Sequence, residues 1–165
     1  MTLPIARLAL GDLEHELGLT RKVLERVPEE HLDWRPHAKS GTLGELAAHL
    51  ANLPFFGTAI LTTEEFDLER TPKLDRPTSR EGLVQLFDRQ SGDLRAAMAA
   101  TSDDALLKQW TLRMGDHVIM QMPRAAAVRS MAVSHTVHHR GQLTVYYRLV
   151  GTPVPGLYGP SADER

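Results

Sequence analysis

The chain has 165 residues, 42% of them hydrophobic and 24% charged, the make-up of one ordinary globular domain. Nineteen Lys and Arg against 21 Asp and Glu leave a net charge of −2, without the basic excess expected of a nucleic-acid binder. Cysteine is absent, which removes disulfides, thiolate-ligated zinc, iron–sulfur clusters and a Cys nucleophile, whereas histidine occurs eight times.

Taken in chain order, Leu10, Leu13, Leu17, Thr20, Leu24 and Val27 recur every three or four residues and predict a first helix ending at Pro28. Residues 28–40 are polar and hold two prolines, the pattern of a connection. Thr42 followed by Glu45 is a capping box. It opens a second helix with a buried stripe of Leu43, Leu46, Leu50, Leu53 and Ile60 and a kink at Pro54. Residues 62–79 are charged, contain Pro72 and Pro77, and read as a long loop of the kind that often borders a functional site. Thr78 with Glu81 forms a second box and starts a third helix carrying Leu83, Leu86, Gln90, Leu94 and Ala97. Trp110, Leu112 and Met114 then alternate with polar residues up to Gly115-Asp116, which suggests a short hairpin over 110–122. A fourth helix starts at Pro123 and runs to Val150, where Gly151 caps it and Pro153 forbids continuation. Its predicted seam is Val128, Ala132, His135, His139, Gln142, Tyr146 and Leu149. The Pro- and Gly-rich tail reads as an irregular strap. These elements predict an all-α four-helix bundle occupying residues 1–165 as one domain.

The chemistry concentrates on the fourth helix. His135 and His139 stand at i and i+4 on the inward seam, so two imidazoles share one face. Buried side by side, each needs polar partners, and a shared cation supplies them. His138 also lies within reach of that face. The seam puts His139 beside Gln142 and Tyr146, so His139 reads as the ligand and His138 as a rim residue. The segment is no H-E-x-x-H site, because Thr136 stands where the glutamate belongs. Nor is it a carboxylate-rich di-iron site, because residues 124–150 contain no Asp or Glu. A third ligand must come from another helix, and His49 borders the buried stripe of the second. Three neutral imidazoles around a divalent cation leave an open coordination position, the arrangement of a catalytic metal. Glu45 is explained by its capping role. His15, His31, His37 and His117 occupy polar contexts and read as solvated. Arg124, Arg129, Arg140 and Arg148 read mostly as a solvated face, with Arg140 placed to attract an anionic substrate.

Leu46-Ala-Ala-His-Leu, Ser134-His-Thr-Val-His-His-Arg-Gly-Gln-Leu143 and Gly151-Thr-Pro-Val-Pro-Gly-Leu-Tyr-Gly-Pro-Ser161 resemble the DinB-like metalloprotein superfamily, as does Pro28-Glu-Glu-His-Leu-Asp-Trp-Arg-Pro-His37. The likeness covers nearly the whole chain. It implies an up-down-down-up four-helix bundle, a homodimer, and a divalent metal held by the histidines that fall on His49, His135 and His139. For activity it implies metal-dependent thiol S-transfer with bacillithiol or mycothiol, or a thiol-dependent isomerisation.

Two functions of different kinds follow. In the first, zinc or nickel on the three histidines lowers the pKa of a small-molecule thiol for attack on an electrophile, and Gln142 orients bound water or substrate. In the second, the metal only stabilises a non-catalytic bundle with a stress-related role. Histidines hydrogen-bonded in a core without metal are the remaining alternative. No apolar run reaches the roughly 20 residues of a membrane span, and Met1–Arg7 lacks the features of a secretory signal, so the expected setting is cytoplasmic.

Overall fold

The structure, a computed structural model, describes residues 5–164; the side chains of residues 5–8 and of Leu10, the first residue of the expected seam, lie outside that description. Helix α1 spans Ile5–Leu24 and buries Leu13, Leu17, Thr20 and Leu24, with Val27 buried just beyond its end. Arg21 and Lys22 occupy its last turn, where positive charge offsets the helix dipole. Helix α2 spans Leu43–Thr62, and its capping box is complete. Thr42 Oγ1 accepts from Glu45 N at 3.1 Å, and Glu45 Oε2 accepts from Thr42 N at 2.8 Å.

Helix α3 spans Arg80–Ala99, and its cap departs by one residue from the expected Thr78–Glu81 box. Ser79 takes the extended cap conformation and accepts from Gly82 N at 3.1 Å, while Glu81 accepts from Gln85 Nε2 instead. A Cβ at Gly82 would lie 2.9 Å from Pro77, so the bare glycine lets Pro77 fold over this first turn. A short α4, Asp103–Leu107, follows.

The hairpin is present, with β2 over Gln109–Met114 and β3 over His117–Pro123, antiparallel and joined at Gly115, which takes φ +55°. The expected loop at 62–79 contains more order than its composition suggests. Its residues Glu65–Asp67 form β1, parallel to β2 with Phe66 opposite Leu112, and Leu68–Arg70 make a 3₁₀ turn. Three residues are too few to show a strand period.

The fourth helix is α5 (Arg124–Ala127), a π-helical segment (Val128–Ser134) and α6 (His135–Leu149) in succession. A π turn closes i→i+5 bonds and takes in an extra residue, so everything after it rotates relative to the 3.6-residue pattern. The buried row is therefore Val128, Ala132, Thr136, Arg140, Leu143 and Tyr147. This corrects the expected seam. Beyond Ala132, the predicted seam residues His135, His139, Gln142 and Tyr146 sit one residue to the side, half-buried or exposed, and Leu149 is 59% exposed.

Cross-helix contacts fix the directions. Asp12 faces Arg129, Glu16 bonds Arg140 and the Val23 carbonyl accepts from Tyr147, so α1 and the fourth helix run parallel. Glu14 pairs with Arg95 and Arg21 with Asp88, so α3 runs antiparallel to α1. Tyr146 donates to the Gly41 carbonyl, His49 meets His135, and a Cβ at Gly57 would lie 2.9 Å from Ala132, so α2 is antiparallel to the fourth helix. The bundle is therefore up-down-down-up. Each of α1 and α2 packs on α3 and the fourth helix. Because α2 and α3 run the same way, the chain after α2 must return along a 20-residue helix, about 30 Å, which explains why 63–79 is long. The core is shared by all four helices and Trp110 of the hairpin.

Candidate metal centre

His49 projects from the middle of α2, and His135 and His139 from the first turns of α6. His135 Nε2 lies 3.4 Å from His49 Nε2 and 2.7 Å from His139 Nε2. One ring nitrogen from each of the three lies within 4.8 Å of the other two, a cluster that could hold a metal ion. The π segment sets this arrangement. Turning the Thr136–Arg140 row to the core places His135 and His139 at its edge, beside α2 and next to open space. Gly57 permits the close approach of α2 to that segment, since a Cβ there would also meet the Leu94 methyl groups at 2.9 to 3.0 Å.

Electrostatics keep the three rings neutral. Burial, followed by the neighbouring imidazoles of His139 and His135, pushes His49 down to about 4. Burial and the adjacent His139 and His138 also lower His135. Burial lowers His139 as well, against an opposing contribution from Gln142. Neutral imidazoles are the form that ligates metal. Gln142 Oε1 lies 2.8 Å from His139 Nδ1, so the ring proton sits on Nδ1 and the Nε2 lone pair is left facing the other histidines. Gln142, expected to orient bound water or substrate, contacts the outer nitrogen of His139. His138 is exposed and lies edge-on to His139, with ring centroids 4.9 Å apart.

The cluster opens into a cleft of about 320 Å³ lined by Ser40, Gly41, Glu45, Leu46, His49, His139, Gln142 and Tyr146. Tyr146 is fixed by its hydroxyl bond to the Gly41 carbonyl (3.3 Å) and by the edge of Trp34, with ring centroids 5.6 Å apart. Among the described residues, no carboxylate joins the three histidines in the cluster.

Two of the four arginines contradict the solvated reading. Arg140 is 1% exposed and donates to the Glu16 carbonyl (2.9 Å), Thr20 Oγ1 (3.1 Å), Glu16 Oε2 and the Tyr158 hydroxyl. It ties the tail to α1 and α6 and is not placed to attract a substrate. The one-residue rotation after the π segment is what carries it inward. Arg124 is 9% exposed and donates to the carbonyls of Ile60 and Thr63 (2.6 Å to the latter), closing the C-terminal end of α2. Arg129 and Arg148 are exposed as expected, as are His15, His37 and His117, whereas His31 is half-buried.

Asn52 escaped the sequence reading, although a lone amide between Ala51 and Leu53 in an apolar helix was a visible signal. It lies one turn beyond His49, 2% exposed. Its Nδ2 donates to the carbonyls of Ala48 and Asp75, both at 2.8 Å, and its Oδ1 is buried without a partner among the described residues.

The DinB family model matches residues 9–165. YrdA of Bacillus subtilis (strain 168), itself uncharacterised, is 29% identical over 157 residues, covering 94% of this chain and 89% of YrdA. A DinB-like protein from Bacillus cereus ATCC 10987 has a crystal structure that superposes with a TM-score of 0.69 at 24% identity, over 91% of this chain and 95% of that one. The DinB-like YjoA of B. subtilis superposes at 0.70 with 17% identity, over 93% and 99% of the two chains. YfiT of B. subtilis, described as a probable metal-dependent hydrolase with an unusual four-helix bundle topology, superposes at 0.66 with 17% identity, over 90% and 89%. Among the described residues no helix is long and apolar enough to cross a membrane. The extent of the family match settles the lineage: this chain belongs to the DinB family.

Proposed function

We propose that the Nε2 atoms of His49, His135 and His139 hold one divalent cation, zinc or nickel, and that the chain is a metal-dependent thiol S-transferase working with a low-molecular-weight thiol. The observation that carries this reading is the convergence of three neutral imidazole nitrogens at the wall of an open cleft. The donor set fits. With metal–nitrogen bonds of 2.0–2.1 Å, ligand nitrogens in a tetrahedral shell stand about 3.3 Å apart; the His49–His135 pair is at 3.4 Å, and the His135–His139 pair, at 2.7 Å, has to part to admit the ion. Three histidines leave a position open, unlike a closed structural site.

When bound, such a cation lowers the pKa of a thiol or water that joins it. The rest falls to the protein's own residues. Gln142 keeps His139 in the Nδ1–H tautomer, and Tyr146 with Leu46 forms a wall on which an organic electrophile can lie. In the transfer, the thiol sulfur forms a bond to an electrophilic carbon, the leaving group departs with its electron pair, and the thiol proton passes to solvent. The protein supplies no sulfur, since it has no cysteine.

YfiT's description favours one second reading, hydrolysis at the same centre. Metal-loaded protein incubated with bacillithiol, mycothiol or cysteine and an aryl chloride tests both. Thiol-dependent chloride release that His139→Ala abolishes is the expected result. Release that ignores the thiol would support hydrolysis, and no release in either case would leave a metal-stabilised bundle.

A further inference from the structure

The capping box uses only half of the Glu45 carboxylate. Its Oε2 accepts from Thr42 N at 2.8 Å and rests against Gly41, where a Cβ would come within 3.4 Å. Its Oε1 has no hydrogen-bond partner, and the carboxylate no ion pair, among the described residues. A solvent-exposed glutamate ordinarily samples many rotamers. This one is held by the reciprocal bonds of the box, so its free oxygen can meet a ligand with little further loss of side-chain entropy.

Its place in the fold matters as much. Glu45 lies one turn before His49 on the same face of α2, about 5.4 Å along the axis. It lines the histidine cleft with His49, His139, Gln142 and Tyr146, and in that lining it is the one side chain with a formal charge, since burial keeps His49 and His139 neutral. Arg76 borders two smaller neighbouring cavities, of about 150 and 130 Å³, and is not part of this cleft. A fixed, unpaired carboxylate at the wall favours a cationic group in the ligand and disfavours an anionic one.

We infer that Glu45 determines which thiol the centre accepts: one carrying a primary ammonium on the carbon next to the thiol-bearing carbon, a 1,2-aminothiol of the cysteamine type or a cysteine whose amine is free. The ammonium donates to Glu45 Oε1, and the two-carbon link, on the order of one helical turn, lets the sulfur reach the histidines. N-acylation removes the charge and with it the recognition. The inference rests on the proposed metal centre and its use of a thiol. Glu45 acts on which thiol binds and takes no part in making or breaking bonds.

Optical titration of the full chain, loaded with cobalt in place of zinc, compares cysteamine, N-acetylcysteamine and 2-mercaptoethanol, with thiol binding read from the cobalt absorption. Wild type is expected to bind cysteamine about tenfold more tightly than either neutral thiol. Glutamine serves a capping box as glutamate does, so Glu45→Gln removes the charge and leaves the start of α2 in place. In that variant the ratio of cysteamine to 2-mercaptoethanol affinity should fall to near one. With an aryl chloride as electrophile, its KM for cysteamine should rise about tenfold while kcat changes less. A preference for cysteamine that survives in Glu45→Gln overturns the inference, because the amine is then held by the metal or by another group. Equal binding of the three thiols by wild type overturns it as well, and leaves the centre standing. A cobalt-loaded chain that responds to no thiol refutes the thiol reading together with this selectivity, and a chain that takes up no cobalt refutes the centre itself and the selectivity with it.

Discussion

Replacing Arg140 with methionine keeps an unbranched apolar stem and removes the guanidinium and its charge at a position that is 1% exposed. Four acceptors lose their donor at once: the Glu16 carbonyl, Thr20 Oγ1, Glu16 Oε2 and the Tyr158 oxygen. The Glu16 side chain is only 13% exposed, so its carboxylate is left largely desolvated and held by the Tyr158 hydroxyl alone. Breaking a buried ion pair from one side costs roughly 3–5 kcal/mol. For a chain of this size that is a fall in Tm of roughly 10 °C. Urea unfolding followed by circular dichroism at pH 7 measures it, and Glu16→Gln/Arg140→Met should recover part of the loss because the unpaired charge is gone. The pH dependence has a definite sign. Burial pushes the Glu16 carboxyl up, but the Tyr158 hydroxyl and Arg140 together outweigh it and hold it below the ordinary 4.5. Its contribution is thus complete above that value and lost as pH falls through the depressed one. The gap between wild type and Arg140→Met should therefore narrow in acid. A loss under about 1 kcal/mol at pH 7 would refute the buried-pair account.

Other consequences are equally direct. Gln142→Ala should weaken metal binding 10- to 100-fold in a competition assay with a fluorescent chelator, because the His139 tautomer is no longer fixed. The metal-free protein should lose stability as pH falls from about 6.5 toward about 4, the interval in which an unfolded His49 takes a proton that the folded one refuses. The full shift corresponds to at most about 3 kcal/mol, reduced to nearer 1 by the partial exposure of the ring, and acid titration of Tm reads it. Gly57→Ala should cost about 1–3 kcal/mol in urea unfolding by overpacking against Ala132 and Leu94, and should loosen the metal by moving α2 from the π segment. An unaltered metal affinity in that variant would show that the helix spacing does not set the site.

What the sequence made legible was what repeats over many residues. Leu13, Leu17, Thr20 and Leu24 on α1, and Leu43, Leu50, Leu53 and Ile60 on α2, lie where a 3.6-residue period puts them. The Thr42–Glu45 box marks the start of α2 because both partners are local. What stayed hidden depends on contacts far apart in the chain or on one added residue. The π segment has no sequence signature in the apolar pattern, so the seam was carried on as if the helix were regular. That misplaced Arg140 and Leu149, yet it still paired His135 with His139, because i and i+4 remain neighbours in α6. Arg124 reads as a surface charge until the end of α2 is folded against it. Strand β1 exists only because residues 109–114 offer it a parallel edge. Asn52 gains its meaning from Asp75, which composition alone assigns to a loop.

The most direct test of the central claim is the metal content of tag-free protein by inductively coupled plasma mass spectrometry, beside His49→Ala and His139→Ala. The account predicts close to one divalent ion per chain in the wild type, lost in both variants while their circular dichroism remains helical. A well-folded wild type that carries no metal, and takes up none from an excess of zinc or nickel, would contradict it.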